Sequence, residues 1–170
     1  MNLRKQNKKQ LIPSWLMIIA SFSLAVAFFL PYVTATDAGR NLLGASEINV
    51  SLLGMIKIHR DLAATPPYEL VGTIVLVLIG LIALFTVLSL LFSLLKKPLP
   101  TLIFAVLNFA VFSVLKWDLT DRRVIPSGLY NWGFSCYYLY IGSVLLFAGA
   151  IWLLVVKRKA KKKLKEQEEL

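Results

Sequence analysis

Charge is distributed along this chain in blocks, leaving four long stretches with none. The first uncharged stretch runs from Leu11 to Thr36 and the second from Leu70 to Leu95. The third is shorter, Leu99 to Leu115, and the fourth lies within Val124 to Val156. A helix rises about 1.5 Å per residue, so about 20 apolar residues cross the hydrocarbon core of a bilayer. The pattern predicts transmembrane helices over 13–33, 70–95, 99–117 and 132–156. Pro13 stands where a helix start tolerates a missing N–H, and Pro66, Pro67, Lys96 and Lys97 bracket the second span. The third span reaches full length only if Lys116 snorkels and Trp117 sits among the headgroups. The fold class expected is therefore all-α transmembrane, a four-helix bundle with a partly ordered first extracellular loop.

The remaining segments are a basic N-terminus (1–12), a long first loop (34–69), a tight turn (96–98), a short second loop (118–131) and a tail (157–170). In the long loop, apolar residues at Ile48, Val50, Leu52, Ile56 and Ile58 alternate as in a strand. Helix fits nearly as well, because Ile48, Leu52, Met55, Ile56 and Leu62 then share a face. Either way, so many apolar residues outside the spans favour an ordered cap over a mobile loop.

Composition agrees with the pattern: 58% of residues are apolar and the mean hydropathy is +0.71, more than a soluble globule of this size hides. Charge sets the orientation. Of 19 Lys and Arg, only Arg40, Lys57, Arg60, Lys116, Arg122 and Arg123 fall on the loop side. Asp37, Glu47, Asp61, Glu69, Asp118 and Asp121 balance them, which leaves the net +10 with the termini and the 96–98 turn. The positive-inside bias places both termini in the cytoplasm of a plasma-membrane protein. The run Lys157 to Lys165 matches attraction to anionic inner-leaflet lipid rather than to nucleic acid, and Glu166, Glu168 and Glu169 suggest a helix continuing beyond the membrane. A cleavable signal peptide ending near Val33-Thr34-Ala35 is the competing reading of the first span, which is longer than the usual signal core.

No Asp, Glu, Lys, Arg or His lies within the four apolar stretches, which weighs against a proton relay or an ion-coupled exporter. Asn108, midway along the third span, is the candidate interhelical or ligand polar contact, on one stripe with Thr101, Ala105 and Phe112. In the fourth span Ser135-Cys136, Gly142-Ser143 and Gly149-Ala150 recur every seven residues, so Ser135, Gly142 and Gly149 are candidate helix-packing positions. Ala20, Ser23 and Ala27 make a matching stripe on the first span, and Gly72, Ala83, Thr86 and Ser93 a looser one on the second. The second loop gathers Trp117, Asp118, Asp121, Arg122 and Arg123, a candidate partner-binding loop whose bland reading is local salt bridges.

Catalytic signals are thin. His59 is the single histidine and reads as a solvated loop residue beside Asp61, too few ligands for a metal. Cys136 is the single cysteine and reads as packing, while Ser127 between Pro126 and Gly128 reads as a turn residue. No cofactor is implied. An enzyme acting on lipid would have to draw on His59, Asp61, Asp118 or Asp121.

Three short motifs carry a resemblance: Phe28-Phe29-Leu30-Pro31-Tyr32-Val33, Ser51-Leu52-Leu53-Gly54 and Tyr130-Asn131-Trp132-Gly133. With the overall plan, they resemble small four-span membrane proteins of Gram-positive bacteria, a resemblance that implies a fold but no functional residue. The reading that follows is a non-enzymatic accessory or interaction subunit with a membrane-protein partner or a second copy. The alternative is an oligomeric carrier or channel for an apolar or neutral solute, with Asn108 near its path.

Overall fold

A computed structural model describes residues 3–42 and 48–168. In chain order the elements are α1 (Leu3–Ala27), β1 (Pro31–Ala35), α2 (Asp37–Leu42), β2 (Asn49–Ser51), α3 (Leu52–Ala63), α4 (Glu69–Leu94), α5 (Pro98–Asp121), β3 (Tyr130–Trp132) and α6 (Phe134–Glu168). Glu47 and Glu169, two of the acids counted above, lie outside the described residues. Gln10–Ala27 of α1, all of α4 and α5, and Phe134–Lys163 of α6 are long and apolar enough to cross a bilayer. The chain is a multi-pass integral membrane protein, an all-α transmembrane bundle of four helices. The helices close a ring in which α1 packs on α4 and α6, and α5 packs on the same two.

The spans are apolar on every face, so side-chain size rather than polarity distinguishes inside from outside. Ile19, Phe22, Val77, Val87 and Val144 lie on the outer surface, all more than half exposed. Ala20, Ala27, Thr86, Ser89, Ser93, Thr101, Ala105 and Ser143 are buried between helices together with Met17, Leu24, Ile79 and Leu146. The small residues of α6 serve its contact with α1. A Cβ at Gly142 would stand 2.8 Å from Cδ2 of Leu24, and one at Gly149 would stand 3.1 Å from Cγ of Met17. Ser135 Oγ donates to the Ala27 carbonyl at 2.6 Å.

The ends of the spans differ from the sequence expectation. α1 stops at Ala27 rather than near 33, because Pro31 cannot continue the helix and the following residues are recruited as a strand. α5 runs on to Asp121, so Trp117, Asp118 and Asp121 belong to its last turns and not to a loop. Nothing breaks that helix before Arg123, which adopts φ 53°. The same left-handed residue, Lys96 with φ 53°, ends α4. In each case the next amide reaches back to close a Schellman motif, Lys97 N to Phe92 O at 2.9 Å and Val124 N to Leu119 O at 3.0 Å. α6 starts at Phe134 and continues as one helix through the basic tail, as the terminal acids suggested.

The first connection is both strand and helix, one after the other. β2 covers Asn49–Ser51, and α3 begins at once, its N-terminus capped by Ser51 Oγ accepting from the Gly54 amide at 3.1 Å. The sheet order is β2-β1-β3, with both neighbours antiparallel to β1. Two glycines let this cap sit close. At Gly133 a Cβ would fall on the Pro31 carbonyl, and at Gly72 on the Ala63 amide and His59 carbonyl of α3. Around Gly80 there is open space within 4 Å.

Overpacking against backbone typically destabilises by about 1–3 kcal/mol. Gly72→Ala and Gly133→Ala are therefore expected to lower the unfolding midpoint in detergent, whereas Gly80→Ala leaves it unchanged or slightly raised. Comparable losses at all three positions would contradict this packing.

Candidate functional site

β1 brings the two connections together. Along it Thr34 pairs with Asn49 of β2 on one edge and with Asn131 of β3 on the other. Beyond the strand, the Thr36 amide donates to Leu129 O at 2.9 Å and its hydroxyl to Gly128 O at 2.7 Å. Ser127 Oγ accepts from the Leu129 and Tyr130 amides, a turn role that agrees with the sequence reading.

Tyr32 keys the sheet into the bundle. Its side chain is fully buried, with the ring edge-on to Trp132 at 5.6 Å and to Phe112 of α5 at 6.1 Å between centroids. Beside it, Lys116 lies with Nζ 4.8 Å from the Tyr140 ring centroid and 5.4 Å from that of Trp132. Sequence reasoning had Lys116 snorkel. Two aromatic faces flank its ammonium and favour a cation through their quadrupoles. Phe29, Trp117, Phe134 and Tyr137 stand outside this level, all more than half exposed, as an aromatic girdle.

Under the sheet lies a hollow of about 170 Å³. Val33, Val50, Met55, Ile58 and Ile125 make apolar walls, and His59 and Tyr130 contribute rings. His59 is the main departure from the sequence reading, for it is buried at 8% exposure rather than solvated. α3 lies flat on α4 at Gly72 and turns His59 inward with Leu52 and Met55. Its Nδ1 is 2.9 Å from the Met55 carbonyl, and since a carbonyl only accepts, Nδ1 carries the proton. Burial pushes the imidazole below its ordinary value of 6.5, with Arg122 adding to the lowering, while the Met55 hydrogen bond and Asp118 oppose it.

Of the five residues proposed as a partner-binding loop, the structure pairs two. Arg122 and Asp118 form an ion pair of 2.7 Å at i,i+4, and Asp118 Oδ2 and Arg122 Nη1 are buried without a further hydrogen bond among the described residues. Trp117 and Asp121 are exposed on other faces of α5, and Arg123, just past its end, is exposed as well. Asp61 is also exposed, 3.9 Å from Arg60, whereas Asp118 lies close enough to His59 to act on its charge.

A second hollow, of about 350 Å³, adjoins the first. It runs between β2 and α3, with Asn49, Ser51, Lys57 and Asp61 supplying polar groups, and it shares Val50 and Ile58 with the hollow under the sheet.

Asn108 occupies the middle of the bundle, 2% exposed, and donates from Nδ2 to Thr86 Oγ1 of α4 at 3.0 Å. Its stripe partners Thr101, Ala105 and Phe112 are buried with it. Nearer the termini, Ser21 and Ser93 share a hydrogen bond of 2.8 Å between α1 and α4. Asn108 Oδ1 makes no hydrogen bond among the described residues. The residues that sequence reasoning missed are Tyr32, whose place after Pro31 at the start of a β-branched run was the available signal, and the Trp132–Lys116–Tyr140 stack, which no spacing reveals.

The lowered His59 value has a definite consequence for stability. Between the folded-state value and 6.5 the unfolded chain binds more protons than the folded one, so stability falls as pH drops through that window and levels off below it. His59→Gln is expected to flatten this part of the stability profile, as measured by unfolding midpoints from pH 7.5 downward. An unchanged acid slope in that variant would assign it to other groups. No family model, curated protein or solved structure matches the chain, so its function rests on this geometry.

Proposed function

We propose that this protein is a non-enzymatic accessory subunit of a plasma-membrane complex, and that its cap engages a second membrane protein. The observation that carries the reading is the cap itself. Four spans can be joined by short links, yet here three separate segments are ordered into a sheet and a flanking helix. Ordering backbone costs about 1–2 kcal/mol per residue, so a fixed cap is expensive unless its surface is used. That surface holds two adjoining hollows, one polar and one apolar, which together suit a partner with mixed chemistry. The charge asymmetry supports cytoplasmic termini and an exterior cap.

A carrier or channel for a neutral solute is the second reading. It draws on Asn108 Oδ1, unpaired among the described residues, and on the buried hydroxyls of Thr86, Ser89 and Ser93 along α4. Flux through purified protein in liposomes that is lost on Asn108→Leu would favour it.

Photo-crosslinking residues introduced in native membranes at Asn49 and Lys57, in the polar hollow, are expected to give one protein adduct of discrete mass. The same groups at Val77 and Val87 are expected to label lipid. Lipid adducts alone at all four positions would remove the subunit reading.

A further inference from the structure

Among the described residues, no acid neutralises Lys116. It forms no ion pair and no hydrogen bond with them, and its ammonium lies against the rings of Tyr140 and Trp132. Other charges at this end have partners of opposite sign: Asp118 is paired with Arg122, and Asp37 and Asp61 lie beside Arg40 and Arg60. Ring quadrupoles hold an ammonium in place without cancelling its charge, and the residue is half-buried rather than enclosed. A fixed positive charge therefore stands at the level of the aromatic girdle, one residue from the exposed Trp117.

The surface next to it suits an apolar chain. Tyr140, Ile141, Val144 and Leu145 of α6 line a shallow groove of about 250 Å³ whose wall is wholly apolar. Tyr140 belongs to both features, since its ring faces the Lys116 ammonium at 4.8 Å and forms one end of the groove. Because α6 runs from the cap toward the basic tail, Leu145 lies about 7.5 Å deeper than Tyr140 along the helix. Ile141 and Val144 are more than half exposed, so this face meets lipid rather than another helix of the bundle. Charge lies at headgroup depth and the groove at the depth of the upper acyl carbons. A phospholipid presents its phosphate and its chain in that order.

We infer that Lys116, Tyr140 and the groove below them bind one anionic phospholipid from the leaflet at the capped end. Its phosphate accepts from the Lys116 ammonium, and one acyl chain lies along Ile141 and Val144. Basic side chains set between membrane helices bind headgroups in this way. A zwitterionic headgroup brings its own cation to a place where the aromatic faces already hold one, so a headgroup without a cation is preferred. The site lies at the opposite end of α6 from the run Lys157 to Lys165 and uses neither hollow of the cap, so it stands independently of the subunit reading.

Trp132 reports on this site once Trp15, Trp117 and Trp152, all exposed, are replaced by Phe. Full-length protein of that background is placed in phosphatidylcholine nanodiscs, and its fluorescence is followed as lipid brominated near the top of the acyl chains is introduced, either as phosphatidylglycerol or as phosphatidylcholine. Lipid gathered by the basic tail lies across the membrane, out of reach of Trp132. Half-maximal quenching is expected at a phosphatidylglycerol fraction about fivefold below that for phosphatidylcholine, the preference that one cation among the headgroups provides. Lys116→Met is expected to remove the preference and Lys116→Arg to keep it. Val144→Phe, which fills the groove from its lipid-facing side and leaves the charge in place, is expected to weaken quenching by phosphatidylglycerol. Equal quenching by the two lipids in the parent protein would overturn the assignment, as would an unchanged preference in Lys116→Met, its loss in Lys116→Arg, or unchanged quenching in Val144→Phe. Displacement of the brominated lipid by glycerol 3-phosphate would assign the charge to a soluble phosphate compound and would equally end the lipid proposal.

Discussion

β1 makes hydrogen bonds on both of its edges, and the capped end of the protein is held by that arrangement. The strand follows the first span by three residues, and it pairs with a segment that leads into α3 and with another that leads into α6. Backbone leaving a membrane helix at a proline has amides and carbonyls to satisfy. Here two connections from distant parts of the chain satisfy them mutually. Tyr32, the second residue of this strand, then plugs the top of the bundle against Phe112 and Trp132. The sheet sets where β2 ends, hence where α3 begins, hence the direction in which His59 faces.

Within the membrane a different rule applies. Lipid tails compete with side chains for apolar contact, so the helices associate through close approach and a few buried hydrogen bonds. Gly142 and Gly149 admit Leu24 and Met17 of α1, and Ser135, Ser21 and Asn108 each bond across to a neighbouring helix. Interhelical bonds of this sort contribute about 0.6 kcal/mol on average, so packing carries most of the association. Ionised groups gather at the two ends instead. Lys157 Nζ donates to the Lys96 carbonyl where the tail passes the tight turn, and Asp118 and Arg122 pair beneath the cap.

The spans were legible because they depend on composition over long windows, which sequence displays directly. The packing stripe of α6 and the buried face through Asn108 were legible for the same kind of reason, a helical period repeated over several turns. The cap was not legible to that depth. Its first connection alternated like a strand over Ile48 to Ile58 but also fitted a helix, and the structure uses the first reading for three residues and the second for twelve. What decides between them is Ser51 capping α3 and the pairing with β1, a contact between segments that local patterning does not contain. His59 was misread for a similar reason: its burial comes from α4, which Gly72 allows to approach. The three motifs that suggested a resemblance, at Pro31-Tyr32-Val33, Ser51-Leu52 and Tyr130-Asn131-Trp132, are the three places where the sheet forms.

Coupling of the two connections through β1 underlies the hollows, the burial of His59 and the contact surface proposed for the cap. Paired cysteines test it most directly, in a Cys136→Ser background within native membranes. Thr34→Cys combined with Asn49→Cys, and Thr34→Cys combined with Asn131→Cys, place thiols at directly paired positions. Both pairs should form disulfides rapidly under mild oxidation, while Thr34→Cys with Tyr130→Cys, one residue out of register and on the opposite face, should not. Equal yields from all three pairs, or none from the first two, would mean that the sheet does not join these segments.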